Sequence, residues 1–208
     1  MVEKGYFVSA IGTDSGKTLI SAMLVEGLEA DYWKPVQSGE PRDTELVQSL
    51  VTSSRSTFHP ERHLLKTPAS PHASARIDGV HISLDDFHLP ESTNPLIVEG
   101  AGGLMVPLND DDLMIDLIAK LRLPLILVSN LYLGSINHTL LSIEVLNTRN
   151  IPITGIIFNG ISNPDSESVI LHQSGLRCLL RVPQLEEVNR GVVRNYGRQL
   201  KEELNGID

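Results

Sequence analysis

The stretch Tyr6-Phe7-Val8-Ser9-Ala10-Ile11-Gly12-Thr13-Asp14-Ser15-Gly16-Lys17-Thr18-Leu19-Ile20 decides the fold. Its first part, Tyr6 to Ile11, is a short apolar run of the kind that forms a buried strand. Gly12 to Thr18 then turns the chain, and Lys17 to Leu28 has the length and amphipathic spacing of a helix. A strand, a Gly-containing turn and Gly-Lys-Thr at a helix start form the context in which backbone N–H groups cradle phosphate. Lys17 brings a positive charge for β- and γ-phosphates, Thr18 a hydroxyl for magnesium, and the helix N-terminus the positive end of its dipole. The generic pattern asks for a glycine five residues before Gly16, where this chain has Ile11, and Gly12 is only four residues away. The loop departs from the generic spacing but keeps the residues that carry the chemistry.

Outward from this unit, further short apolar runs recur at Asp31 to Trp33, Leu96 to Val98, Leu123 to Val128, Ile153 to Phe158 and Leu179 to Val182. Between them lie helix-length stretches at Thr44 to Val51, Leu113 to Leu121, Ile136 to Asn147, Ser166 to Gly175 and Val192 to Leu204. Alternating strands and helices predict a mostly parallel sheet covered on both faces. The expected fold is α/β, a P-loop NTPase-like three-layer arrangement, as one domain over residues 1–208. The Pro- and His-bearing stretch from Thr52 to Asn94 lacks a clear period and reads as an elaborated crossover.

Composition narrows the function classes. Seventeen basic against 26 acidic residues give a net charge of −9, which disfavours a nucleic-acid partner because that affinity rests on Lys and Arg neutralising phosphates. The single cysteine, Cys178, has no internal disulfide partner and sits among leucines, as a small core residue would. Glu3 and Lys4 precede only a short apolar run, unlike a signal peptide, and no run reaches the roughly 18 apolar residues of a membrane span. A cytoplasmic protein with small-molecule substrates is expected.

Candidate site residues cluster where parallel strands end. Glu99 follows Pro95-Leu96-Ile97-Val98 and precedes Gly100-Ala101-Gly102-Gly103, so it suits a magnesium-binding carboxylate beside a closely approaching loop; a turn or capping acid is the alternative. Lys34 ends the second strand in Tyr32-Trp33-Lys34-Pro35-Val36-Gln37-Ser38-Gly39, which delivers it to the same sheet edge as Lys17 and Glu99. A second lysine there would stabilise a transferring phosphoryl group, and Ser38 could hydrogen-bond an oxyanion. Lys34 can also be read as surface decoration. Asp43 precedes Thr44 at a helix start, where a cap and a magnesium ligand are both open. Gly134-Ser135-Ile136-Asn137-His138 opens another helix, whose free N–H groups could hold a carboxylate.

Taken in order, Gly12 to Thr18, Tyr32 to Gly39, Ser70-Pro71-His72, Val98 to Gly103, Leu133 to His138 and Phe158-Asn159 resemble the dethiobiotin synthetases along nearly the whole chain. That family's phosphate loop has five residues between its glycines, which puts Ala10 at the first glycine and accounts for the failed generic match. The resemblance implies ATP and Mg2+-dependent closure of a cyclic urea from 7,8-diaminononanoate and CO2. The route it implies runs through a carbamate, its phosphorylation by ATP, and attack by the second amine. It further implies Lys17 on the β/γ-phosphates, Thr18, Asp43 and Glu99 on magnesium, and Lys34 on carbamate and phosphoryl. Thr13, Asp14, Ser15, Gly16 and Gly102 belong to the nucleotide site, Ser38 and Pro71 to the substrate side, and Asn159 and Pro183 to the adenine side. The implied assembly is a homodimer in which Gly134, Ser135, Ile136 and Asn137 of one subunit hold the substrate carboxylate at the other.

The rival class is a P-loop switch or partitioning ATPase acting on protein or membrane partners. Such proteins carry a signature lysine early in the loop, where this chain has Gly12, and a basic amphipathic tail for a membrane is missing from the sequence.

Overall fold

The computed structural model describes residues 5–206, so Glu3 and Lys4 lie outside it. The elements run β1 (Gly5–Ala10), α1 (Lys17–Leu28), β2 (Asp31–Trp33), β3 (Val36–Ser38), α2 (Asp43–Leu50), β4 (Phe58–His59), β5 (His63–Leu65), α3 (Pro71–Asp78), a 3-10 turn (Leu84–Asp86) and β6 (Leu96–Gly103). The second half continues with α4 (Met114–Leu121), β7 (Leu125–Asn130), α5 (Ser135–Thr148), β8 (Ile153–Asn159), α6 (Pro164–Ser174), β9 (Cys178–Val182) and α7 (Arg190–Asn205).

Seven strands form one sheet in the order β4-β2-β6-β1-β7-β8-β9. All its pairings are parallel. Every carboxyl end therefore lies along one edge, where open α/β sheets bind their ligands. Side chains alternate across this sheet. Val8, Ala10, Tyr32, Ile97 and Ile126 pack towards α1, α2 and α7 through Met23, Leu24, Val47, Val193 and Leu200. Phe7, Trp33, Val98, Leu125 and Leu127 pack the other way, towards α4, α5 and α6 through Ile115, Leu117, Ile118, Ile143, Leu146 and Ile170. Two-sided burial explains why the central strands are apolar at almost every position.

Helices α1 and α7 meet at Gly27 and Gly197, so closely that a Cβ on Gly27 would lie 2.0 Å from the Gly197 carbonyl oxygen. The absence of side chains there lets α7 lie directly on the helix that carries the phosphate loop.

The predicted strands and helices are observed in order, with the unpredicted β3 inserted after β2 and two further refinements. β6 does not stop at Val98 but continues through the glycines to Gly103, and β7 starts at Leu125 and reaches Asn130. The stretch from Thr52 to Asn94 is more organised than its sequence suggests: it holds β4, β5, α3 and the 3-10 turn, and β5 pairs with β3 in a separate two-stranded parallel sheet. Strands of two or three residues are too short to show a period.

Its ends are tied down by a buried carboxylate. Asp31 accepts the Thr57 N–H at 2.8 Å, the Ser92 hydroxyl at 2.6 Å and the Asn94 amide at 2.9 Å. His63 is buried beside Phe87 and hydrogen-bonds Asp86 at 3.0 Å, which fastens β5 to the 3-10 turn. Cys178 is a half-buried edge-strand residue whose thiol burial pushes up, unlike an activated nucleophile. Among the described residues no helix is long and apolar enough to cross a membrane.

Candidate active site

At the carboxyl edge of the sheet a cleft of about 670 Å³ opens over β1, β2 and β6. Its wall on one side is the loop Thr13 to Thr18, and on the other Lys34, Ser38, Asp43, Pro71, Glu99 and Gly102. These are twelve of the residues proposed from sequence, gathered from six separate segments.

The loop is held open from within. Ser15, itself buried, donates its hydroxyl to the Gly12 carbonyl at 3.1 Å, and Lys17 Nζ reaches the same carbonyl at 3.0 Å. Gly16 has φ 92°, a left-handed conformation that L side chains rarely adopt, and a Cβ there would lie 2.2 Å from Asn159 Nδ2. That amide donates to the Ser15 carbonyl at 3.0 Å, so β8 braces the loop across the sheet. Burial, followed by the neighbouring Lys34 charge, lowers Lys17 from 10.5 to about 8.

Opposite the loop lies a compact charge cluster. Lys34 Nζ sits 2.9 Å from Glu99 Oε1, 2.6 Å from Asp43 Oδ2 and 3.2 Å from the Gly100 carbonyl oxygen. Side-chain exposure is 4% for Lys34, 1% for Glu99 and 27% for Asp43, so the cluster is buried on the sheet side and open towards the cleft. Burial works against the Lys34 charge, but the two carboxylates outweigh it and raise the pKa above the ordinary lysine value. Thr18 Oγ1 lies 3.1 Å from Asp43 Oδ1 and 3.0 Å from Glu99 Oε1, and its one proton serves one carboxylate at a time.

Local chain structure fixes these groups. The β2–β6 register pairs Trp33 with Val98, so Lys34 and Glu99 follow as neighbours on the α1 face. Asp43 is the first residue of α2, but it does not cap that helix: the N-cap is Arg42, without a side-chain cap bond, and the Asp43 carboxylate points at Thr18 and Lys34. Its backbone N–H is received by Gln37 Oε1 at 3.2 Å, while Gln37 Nε2 donates to the Gly39 carbonyl at 3.1 Å. Arg42 and Thr44, on either side of Asp43, both bind the buried carboxylate of Glu61, Thr44 at 2.7 Å. The readings of Asp43 as a cap, Lys34 as surface decoration and Glu99 as a turn acid therefore give way to one buried cluster.

Two carboxylates and a hydroxyl converging beside a phosphate loop fit a hard divalent cation that takes its remaining ligands from water and phosphate oxygens. Among the described residues no group of three or more His, Cys, Asp or Glu could hold a metal. The protein's own share of such a shell would be Thr18, Asp43 and Glu99. Ser38 contributes a buried hydroxyl with no hydrogen-bond partner at the cleft wall.

Six proposed residues are not in this cleft. Asn159 stands behind the loop, and Pro183 follows β9 at the same sheet edge. Gly134, Ser135, Ile136 and Asn137 open α5 after β7, with Ser135 buried and its hydroxyl unpartnered, but none of them lines the cleft within this chain. Of Ser70-Pro71-His72, the first two line the cleft and His72 faces a neighbouring hollow. Sequence reasoning overlooked Tyr32, which binds Glu99, and Gln37, which holds Asp43. Tyr32 shares strand parity with Lys34, a signal that was available.

Residues 4–191 match the AAA-domain family. The chain is 52% identical to an ATP-dependent dethiobiotin synthetase of Cytophaga hutchinsonii, over 95% of this chain and 97% of that one. It is 45% identical to one from Christiangramia forsetii over 97% and 98%, and 49% identical to one from Brucella ovis over 86% of each. Among solved structures, a MinC:MinD cell division complex from Aquifex aeolicus aligns with TM-score 0.62 at 12% identity, covering 99% of this chain and 96% of that one. A ParA family ATPase from Chlorobium tepidum aligns with TM-score 0.58 at 15% identity, covering 97% of each. Identities that low establish a shared P-loop α/β fold and nothing of function. With relatives about half identical over almost their entire length, and with the phosphate loop, Lys34, Asp43 and Glu99 meeting in one cleft, the chain belongs to the family of ATP-dependent dethiobiotin synthetases.

Proposed function

We propose that this protein is an ATP-dependent cyclo-ligase that closes the ureido ring of dethiobiotin from 7,8-diaminononanoate and CO2, splitting ATP to ADP and phosphate. The observation that carries the reading is Lys34, buried between Glu99 and Asp43 and facing Lys17 across one cleft. A switch ATPase needs a nucleotide site; a ligase needs in addition a second cation where an acceptor anion meets the γ-phosphate.

One amine of the diamine adds CO2 to give a carbamate. A carbamate oxygen attacks the γ-phosphorus, the bond to the ADP oxygen breaks, and a carbamic–phosphoric anhydride results. The second amine attacks the carbamoyl carbon, loses its proton and expels phosphate, which closes the ring.

In this reading Lys17 and the N–H groups of Thr13 to Thr18, Asp14, Ser15 and Gly16 among them, hold the β- and γ-phosphates, with Gly102 close by. Lys34 places its charge between the carbamate and the transferring phosphoryl group, where negative charge gathers. Ser38 offers its unpartnered hydroxyl to the carbamate or phosphoryl oxygens, and Pro71 lines the diamine side. Thr18, Asp43 and Glu99 would hold Mg2+, which supplies neutralisation of phosphate charge. Asn159 and Pro183 would flank the adenine. Gly134, Ser135, Ile136 and Asn137, absent from this chain's own cleft, would present their free N–H groups to the substrate carboxylate of a second copy, making the working form a homodimer. One domain over residues 1–208, working in the cytoplasm, completes the proposal.

The test is phosphate release from ATP, Mg2+ and bicarbonate with and without 7,8-diaminononanoate, with the cyclic urea followed by mass spectrometry. Diamine-dependent release matched by product is expected. Basal hydrolysis indifferent to the diamine would overturn the ligase in favour of a switch ATPase.

A further inference from the structure

Glu99 is deeply buried, and its two carboxylate oxygens are used differently. Oε1 takes the cleft-side contacts, Lys34 Nζ at 2.9 Å and Thr18 Oγ1 at 3.0 Å. Oε2 accepts the Tyr32 hydroxyl at 2.9 Å, a bond in which the phenol is the donor. Tyr32 has 0% exposure and stands among Val8, Ile97, Met23 and Val47, away from water.

We infer that Tyr32 is a positioning residue for the ligase reaction: it locks the Glu99 carboxylate in rotation, so that a single oxygen faces the metal–nucleotide site. The inference rests on the reading of Glu99 as a magnesium ligand. A carboxylate on a flexible two-carbon stem has two equivalent oxygens and can rotate to offer either or both to a cation. Rotation here would strip Oε2 of its donor inside an apolar layer, where an unpaired charged oxygen is costly. The phenol thereby holds Glu99 as a one-oxygen ligand. Outer-sphere partners of this kind orient the groups that touch the metal.

The position also has a simple origin in the strand. Tyr32 and Lys34 are two residues apart on the chain that emerges from β2, so they share a face, and β2 runs parallel to β6 with Tyr32 opposite Ile97. Lys34 therefore meets Glu99 from the cleft, and Tyr32 meets it from one pleat deeper. Phe58, whose ring centroid is 6.3 Å from that of Tyr32, backs the ring. Strand geometry supplies both contacts without any loop.

The experiment compares Tyr32→Phe, Glu99→Gln and the double variant. Affinity for a fluorescent ATP analogue is titrated with Mg2+ and with EDTA, beside thermal unfolding and steady-state kinetics. Tyr32→Phe keeps the ring and removes only the donor. Its Mg2+-dependent gain in nucleotide affinity is expected to fall on the order of 10–100-fold. Affinity in EDTA should stay as in the parent protein, and the Mg2+ concentration for half-maximal turnover should rise more than kcat falls. In the Glu99→Gln background the same substitution should add nothing to the Mg2+ dependence, because its effect passes through the carboxylate. A Tyr32→Phe protein with an unchanged Mg2+ dependence, while Glu99→Gln loses it, would overturn the inference and leave the reading of Glu99 intact. A Glu99→Gln protein with unchanged Mg2+ dependence would overturn that reading, and the inference with it.

Discussion

Replacing Lys34 by methionine, which is close in length and apolar, removes the cation from the two carboxylates it now bridges. Nζ touches Glu99 Oε1 at 2.9 Å and Asp43 Oδ2 at 2.6 Å, and the side chains of Lys34 and Glu99 are almost wholly buried. Removing one partner of a buried pair strands an uncompensated charge and costs about 3–5 kcal/mol. For a chain of 208 residues, each 1 kcal/mol moves Tm by roughly 2–4 °C, so a drop of roughly 6–20 °C is expected. Turnover should be lost as well, since the charge beside the transferring phosphoryl group is gone. The control is Lys34→Met with Glu99→Gln. It removes the more deeply buried of the two stranded charges along with the cation, so the double variant should be more stable than the sum of the two single losses predicts. Thermal unfolding of all four proteins in low salt, with product formation measured alongside, reads both effects. A Lys34→Met protein with parental Tm would refute the argument that the cluster is a buried, mutually dependent unit. One with near-parental turnover would remove Lys34 from the chemistry.

Three further outcomes are expected. Lys17, held near 8 in the free protein, keeps its full charge below that pH and loses it above, so kcat/KM for ATP should fall about tenfold per unit as pH rises beyond 8; a profile flat to pH 9.5 would contradict this. For Asp31, burial works towards protonation, but the Asn94, Ser92 and Thr57 donors prevail and depress the pKa. The stability they confer is present above the unfolded value near 3.9 and lost as pH falls through the folded one, so Asp31→Asn should cost about 1–3 kcal/mol at neutral pH and flatten the acid limb of a urea-denaturation series, whereas an acid limb identical to the parent's would show that the network is not coupled to folding. Gly27→Ala places a methyl against the Gly197 carbonyl and should cost about 1–3 kcal/mol by urea denaturation, with Gly197→Ala behaving alike; a neutral effect at both would mean that α1 and α7 slide apart freely.

The sequence and the structure agree most closely where a local pattern carries the information. The strand, loop and helix from Tyr6 to Leu28 are legible because apolar period, glycine and the Gly-Lys-Thr tripeptide all act within a few residues. Glu99 and Lys34 are legible for a similar reason: each ends a short apolar strand, and parallel topology sends such ends to one edge. Asp43 was not. A carboxylate at a helix start has two ordinary uses, and the choice between them depends on what faces it across the cleft.

By itself, the sequence determined the order of the main-sheet strands and their helices outside the crossover, the phosphate loop and the set of charged residues at the sheet edge, because these follow from periodicity and from residue chemistry over short spans. Tertiary structure alone decided that Thr18, Lys34, Asp43 and Glu99 share a few ångströms, that Tyr32 holds the far oxygen of Glu99, that Gln37 holds Asp43, and that Glu61 ties down its neighbours Arg42 and Thr44. It also decided that the start of α5 lies outside this chain's cleft, and it turned the crossover from Thr52 to Asn94 into a wall with its own small sheet. The physical reason is range: those contacts join residues up to 81 positions apart, and only sheet register and helix packing bring them together.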